Sequence, residues 1–163
     1  MDRRKVLERA GVLGGAATLA ALAPTVASAD EQANHTLEGG WIGTTNSGPP
    51  LGSFMAAFMF ARGGGMVTSS SIDLSPRSLS TPGYGTWQRS GARDFLFTFD
   101  AFVFDQQGNP GGLVKARATA VLNAAGDAWS GIFKFDVFAP NGAVVFSGSG
   151  THEAKRIRPE PLS

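Results

Sequence analysis

From Leu37 onward, apolar and polar residues alternate every second position, and the alternation is interrupted only by short Gly, Asn and Pro turns. No stretch of ten residues shows the 3.6-residue period of a helix. Period two puts successive side chains on opposite faces of a strand, so the chain reads as all-β. Eight strands are expected, over roughly 37–46, 54–61, 65–73, 83–89, 93–104, 113–122, 128–139 and 143–157. The turns fall at Arg62-Gly63-Gly64, Ser90-Gly91, Gln106 to Gly111, Ala125-Gly126 and Asn141-Gly142, with longer loops at Gly52 and at Pro76 to Pro82. Connections this short join antiparallel neighbours. An eight-stranded up-and-down meander in so small a domain is expected to close into a barrel over 37–157, because closure removes the exposed edges.

Hydrophobic matching then sets the register, since a slip of one residue would turn every side chain to the wrong face. Pairing outward from a two-residue Asn141-Gly142 turn opposes Phe135 to Gly148, Phe133 to Gly150 and Gly131 to His152. The preceding hairpin opposes Ala116 to Phe135, Ala118 to Phe133 and Leu122 to Trp129, with Lys115 and Asp136 paired as ions on the other face. A third hairpin sets Phe99 against Ala118 and Phe97 against Ala120. All three agree on an inward stripe of Phe95, Phe97, Phe99, Trp129, Phe133 and Phe135 interleaved with Ala and Gly. These residues and His152 are the expected ligand-binding lining. A barrel of eight strands is about wide enough to fill with side chains or to hold one small ligand. The small residues favour a cavity; a core filled by the phenylalanines is the alternative.

The first 29 residues read differently. Arg3-Arg4-Lys5 precedes a Gly/Ala-rich, mildly apolar stretch from Ala10 to Ala23, and Ala27-Ser28-Ala29 is an A-x-A exit. This is a signal-peptide plan, and the paired arginines resemble the twin-arginine export motif, with Val6 and Glu8 where that motif has Phe and often Lys. Secretion or periplasmic location is expected, and an ordinary secretory leader is the alternative. The leader is too short to remain as a membrane span, and no cysteine is present to carry a lipid. Of the 14 Lys and Arg and 13 Asp and Glu, the leader takes Arg3, Arg4, Lys5, Arg9, Asp2 and Glu8, leaving 10 and 11 and a net charge of −1. A near-neutral domain without a basic run argues against a nucleic-acid partner. After a polar lead-in at 30–36, the remainder forms one domain with a short tail at 158–163. It holds every aromatic residue of the chain, 12 of them Phe.

Leu37-Glu38-Gly39-Gly40-Trp41 contains L-x-G-x-W at the opening of the first strand, and Gly85-Thr86-Trp87 repeats G-x-W. The segment resembles the start of lipocalins and related calycin barrels, in which the Trp plugs one barrel end. The size and Phe-rich interior also resemble the allene-oxide-cyclase-like barrels, although none of their catalytic motifs is matched. Either resemblance implies an apolar small molecule inside the barrel.

His152 is the one ionisable side chain that the register points inward. It reads as a proton donor or acceptor, as an axial ligand to a haem iron, or as a hydrogen-bonded histidine near the rim. Two histidines without nearby carboxylates at ligand spacing predict no protein-bound metal, and no cofactor is expected. Asp100 interrupts the run Phe99-Asp100-Ala101-Phe102. Simple alternation turns it outward and makes Phe102, Phe104, Leu113, Phe138 and Val145 an outer apolar patch, with Phe102, Phe104 and Phe138 positioned for a homodimer. A β-bulge near Asp100-Ala101 would instead bury it as a general acid or base. Three functions follow: a binder of a small apolar molecule, a cofactor-independent cyclase or isomerase using His152 and Asp100, and a solid interaction barrel.

Overall fold

A computed structural model describes residues 35–75 and 78–162. The expected leader and most of the lead-in lie outside the described residues. The strands are β1 (Gly39–Asn46), β2 (Ser53–Phe60), β3 (Gly65–Ser70), β4 (Leu74–Ser75), β5 (Ser78–Ser80), β6 (Gly83–Arg89), β7 (Asp94–Phe104), β8 (Pro110–Leu122), β9 (Ala128–Phe138) and β10 (Val144–Arg156). Eight of them follow one another round a closed antiparallel barrel, β1-β2-β3-β6-β7-β8-β9-β10, and β10 pairs back to β1. The barrel expected from the alternation is therefore present, with its neighbours in meander order. The loop expected at 76–82 contains part of an additional hairpin, β4–β5. Its second strand extends the line of β6 and pairs with the far end of β7, Leu79 to Phe104 and Ser80 to Val103.

Two of the three expected registers hold. Phe135 faces Gly148, Phe133 faces Gly150 and Gly131 faces His152, while Ala116, Ala118 and Leu122 face Phe135, Phe133 and Trp129. The first of these is reached by another route than a two-residue turn. Gly142 N–H closes onto the Ala139 carbonyl, and Ala139 pairs with Ala143 around a three-residue loop, with Pro140 at the second turn position and Gly142 at φ +83°. That geometry is a type I turn ending in a left-handed glycine. The extra residue is cancelled by a bulge between Val144 and Phe146.

The third hairpin is displaced by two residues. Phe97 faces Ala118 and Phe99 faces Ala116, with Phe95 opposite Ala120. The same faces meet, because the shift is even. Its cause is the turn, which ends early: the Asp105 carboxylate accepts the backbone N–H of Gln107 and of Asn109 and the Asn109 side-chain amide, so β8 begins at Pro110. The bulge in this hairpin lies between Val103 and Phe104, not at Asp100-Ala101. Lys115 and Asp136 are cross-strand partners, but the ions pair otherwise. Asp136 accepts from Arg117 at 2.8 Å and from Ser147, and Lys115 lies 3.8 Å from Asp100. Arg117 has the longer reach and the planar fork that suits a carboxylate.

One half of the barrel is packed solid. Leu37, Trp41, Phe60, Phe95 and Leu122 are essentially inaccessible, and Ala120, Trp129 and Ala154 fill the space between them. Trp41 meets Trp129 edge-on with centroids 6.3 Å apart, and its indole N–H donates to the Leu37 carbonyl at 2.8 Å. Arg156 covers this end. Its guanidinium lies 4.1 Å from the Trp41 ring centroid and donates to the carbonyls of Gly126, Glu38 and Thr36. A cation over an indole with its donors satisfied by carbonyls closes the end and ties down the entering chain.

Inward glycines beside the phenylalanines leave no empty space at their own positions. A Cβ at Gly148 would lie 2.5 Å from the Phe135 ring, and one at Gly150 would lie 2.8 Å from the Phe133 ring and 2.0 Å from the Asn46 carbonyl oxygen. Each ring lies over the glycine it faces, and the bare backbone lets the neighbouring strand approach closely.

Candidate functional site

Beyond the packed half the barrel is open. A cavity of about 1080 Å³ runs from the middle of the barrel to its other end. The alternation that fills one end lines the other, because each strand crosses both. On β7, Phe95 belongs to the packed half, Phe97 lies at the boundary, and Phe99, Ala101 and Val103 line the cavity. Small side chains at the same depth, Ala56, Ala116 and Ala118, keep the space open. At the mouth, the β4–β5 hairpin contributes Leu74, Ser75, Leu79 and Ser80, and the 105–107 turn contributes Asp105, Gln106 and Gln107. Asp73 is held by Ser69 and by the backbone N–H of Ser70, which fixes the start of that hairpin.

Of the residues expected to line a site, Phe97, Phe99, Phe133, Phe135 and His152 border the cavity together. Phe95 and Trp129 do not. Phe95 is sealed against Trp87 and under Arg89, and Trp129 sits below His152 in the packed half. Asp100 faces outward beside Lys115, so it shares no surface with His152. The outer patch is divided. Phe102 is exposed, and it leads through its partner Leu113 to Phe138 in one row across β7, β8 and β9, with Val145 exposed on the adjoining β10. Phe104, beyond the bulge, is turned to the cavity mouth instead.

His152 is the chemical centre of the cavity floor. Its ring stacks on Phe97 with centroids 5.5 Å apart, tilts against Phe133 at 5.6 Å, and receives the edges of Trp129 and Phe58. Its Nε2 lies 2.8 Å from the Thr119 carbonyl oxygen. A carbonyl only accepts, so Nε2 carries the proton. Burial among aromatic rings pulls the pKa below the usual histidine value, and the Thr119 hydrogen bond opposes this to a lesser degree. The neutral ring therefore presents Nδ1 as a bare acceptor. With Nε2 committed to a carbonyl, an axial bond to haem through that atom does not fit. Among the described residues no three His, Asp or Glu side chains gather to hold a metal ion.

Two further residues belong to this floor. Thr45 and Thr68 are buried and border the cavity, and Thr45 is the cross-strand partner of His152. Alternation from Trp41 and from Met66 puts both threonines on the inward face, a signal that the phenylalanine stripe overshadows.

Fold and site together define a small closed antiparallel β-barrel, packed at one end and open at the other. No family model matches the chain, and no curated protein or solved structure matches it.

Proposed function

We propose that this barrel is an exported protein that binds a small apolar molecule in its open half, in the manner its resemblance to lipocalin-like barrels implies. The carrying observation is the cavity of about 1080 Å³ bordered by Phe58, Phe97, Phe99, Phe133 and Phe135 above a solid floor. Such a volume suits a drug-sized or larger ligand. Burying about 300 Å² of apolar ligand surface would contribute roughly 7 kcal/mol before the cost of association. Fluorescence enhancement of N-phenyl-1-naphthylamine tests the reading. Folded protein should take up the probe with saturation at one equivalent, and Ala118→Trp, which projects an indole into the cavity, should weaken uptake at least tenfold. A folded wild-type protein that leaves the dye dark overturns it. Export is tested separately by the mass of the mature chain, which should begin at Asp30.

The bare Nδ1 of His152 supports a second reading, a cofactor-independent isomerase or cyclase in which that nitrogen moves a proton on a substrate held by the aromatic walls. Asp100 has no part in it. A binder returns its ligand unchanged, so chemical analysis of the recovered ligand separates the two.

A further inference from the structure

The nature of the ligand can be narrowed, on the basis of the binding reading above. Among the described residues the buried polar side chains are Thr45, Thr68 and His152, and all three border the cavity. Thr68 donates its hydroxyl to the Ala57 carbonyl at 2.9 Å, and His152 donates Nε2–H to Thr119. The Thr45 hydroxyl and His152 Nδ1 have no hydrogen-bond partner among the described residues. The unpaired side-chain atoms sealed from all open space are Asp100 Oδ1 and Trp129 Nε1. Thr45 Oγ1 and His152 Nδ1 are not sealed, so both open onto the cavity that their residues border. Thr45 is only 6% exposed and His152 5%, which makes this a built polar spot in an apolar chamber. Direct opposition across β1 and β10 puts the two Cβ atoms about 5 Å apart. One group is a rotatable hydroxyl and the other a pure acceptor.

We propose that the occupant is an uncharged lipophilic alcohol that enters hydroxyl first, donating to His152 Nδ1 and accepting from the Thr45 O–H while its apolar body lies along the phenylalanines. An ether or ketone would satisfy Thr45 and leave Nδ1 unpaired and dry. A hydrocarbon would leave both unpaired. A carboxylate would bring a buried charge to a wall whose charged side chains, among the described residues, are Asp73 and Asp105 near the mouth, both acidic. An unmet buried acceptor costs roughly a factor of ten in affinity.

The test displaces N-phenyl-1-naphthylamine from the full mature chain with dodecanol, dodecyl methyl ether and dodecanoate. Dodecanol should displace the dye at roughly tenfold lower concentration than either of the others, although the ether is the more apolar. In Thr45→Val, a near-isosteric change, the alcohol-to-ether ratio should fall toward one, and His152→Phe should do the same. Thermal unfolding establishes that each variant is folded. Equal potency of alcohol and ether on the wild-type protein overturns the inference while leaving a general apolar binder standing. So does a ratio that survives both substitutions. Absence of dye uptake by folded wild-type protein is a different failure: it removes the binding reading itself.

Discussion

Phe95 and Phe99 occupy the same inward face of β7, four residues apart, yet they stand in opposite halves of the barrel. Phe95 is 1% exposed, lies 5.9 Å from the Trp87 ring and is covered by the Arg89 guanidinium. Truncation to Ala there removes the ring from a close-packed region that cannot collapse, and should cost about 3–5 kcal/mol. Phe99 is half-buried and borders open space. Its truncation enlarges a cavity that already exists, so only part of the transfer term is lost, about 1–2 kcal/mol. For a domain of this size, at roughly 3–4 °C per kcal/mol, Phe95→Ala should lower Tm by about 9–20 °C and Phe99→Ala by about 3–8 °C. Urea unfolding at neutral pH and a thermal melt measure both, and an unchanged m-value establishes that the comparison is one of native-state stability. Ligand uptake should invert the ranking. At a temperature where both variants are folded, Phe99→Ala changes N-phenyl-1-naphthylamine binding and Phe95→Ala leaves it near wild type. Equal destabilisation by the two substitutions would refute the division of the interior into a packed and an open half.

Acid stability should carry the signature of His152. Burial lowers its folded pKa below the ordinary value of 6.5, so the unfolded chain takes up a proton near that pH that the native ring refuses. Stability is full above pH 6.5 and falls as pH drops below it. His152→Phe should remove up to about 1.4 kcal/mol per pH unit of that slope below pH 6.5; identical slopes in urea titrations of the two proteins would contradict a neutral buried ring. Gly131→Ala places a Cβ 1.9 Å from the Thr119 carbonyl oxygen and 2.9 Å from His152 Nε2, and should cost about 3 kcal/mol or more. Gly142→Ala meets open space and bears only its left-handed backbone, about 1–2 kcal/mol; a reversed order in chemical denaturation would argue against the close approach of β8 and β9. Arg156→Lys forfeits the fork that reaches three carbonyls and the flat contact with Trp41, with an expected loss of about 2–4 kcal/mol by the same assay. A loss below 0.5 kcal/mol would show that the end is closed without it.

The barrel was legible because alternation is a property of every strand at once, and large residues meeting Ala or Gly across each hairpin left few registers to choose from. Phe135 opposite Gly148 illustrates how such matching outperforms turn chemistry. The Pro140-Asn141-Gly142 loop is one residue longer than Asn-Gly alone suggests, and the bulge at Val145 restores the pairing that apolar faces demand. Where the matching had two equivalent solutions it failed. Phe99 against Ala118 and Phe97 against Ala118 bury the same faces, and the choice was made by the Asp105 side chain folding the turn short. The open half was less visible. Period two assigns Phe95 and Phe99 to one face but carries nothing about depth along the barrel. Depth is set by where Trp41 and Trp129, more than 80 positions apart in the chain, meet and by Arg156 closing over Trp41. Thr45 and Thr68 are inconspicuous in the sequence for a related reason, since a threonine in a strand stands out only once its neighbours are known to be rings.

β7 takes two successive partners along one edge, β6 over its first half and β5 over its last residues. The hydrogen bonds that hold the cylinder shut therefore run through β6, while β4 and β5 frame the entrance as an appended piece. Lengthening, shortening or recomposing that piece would reshape what can pass the rim without touching a single pairing on which closure depends. A scaffold arranged in this way can change its entrance and keep its walls.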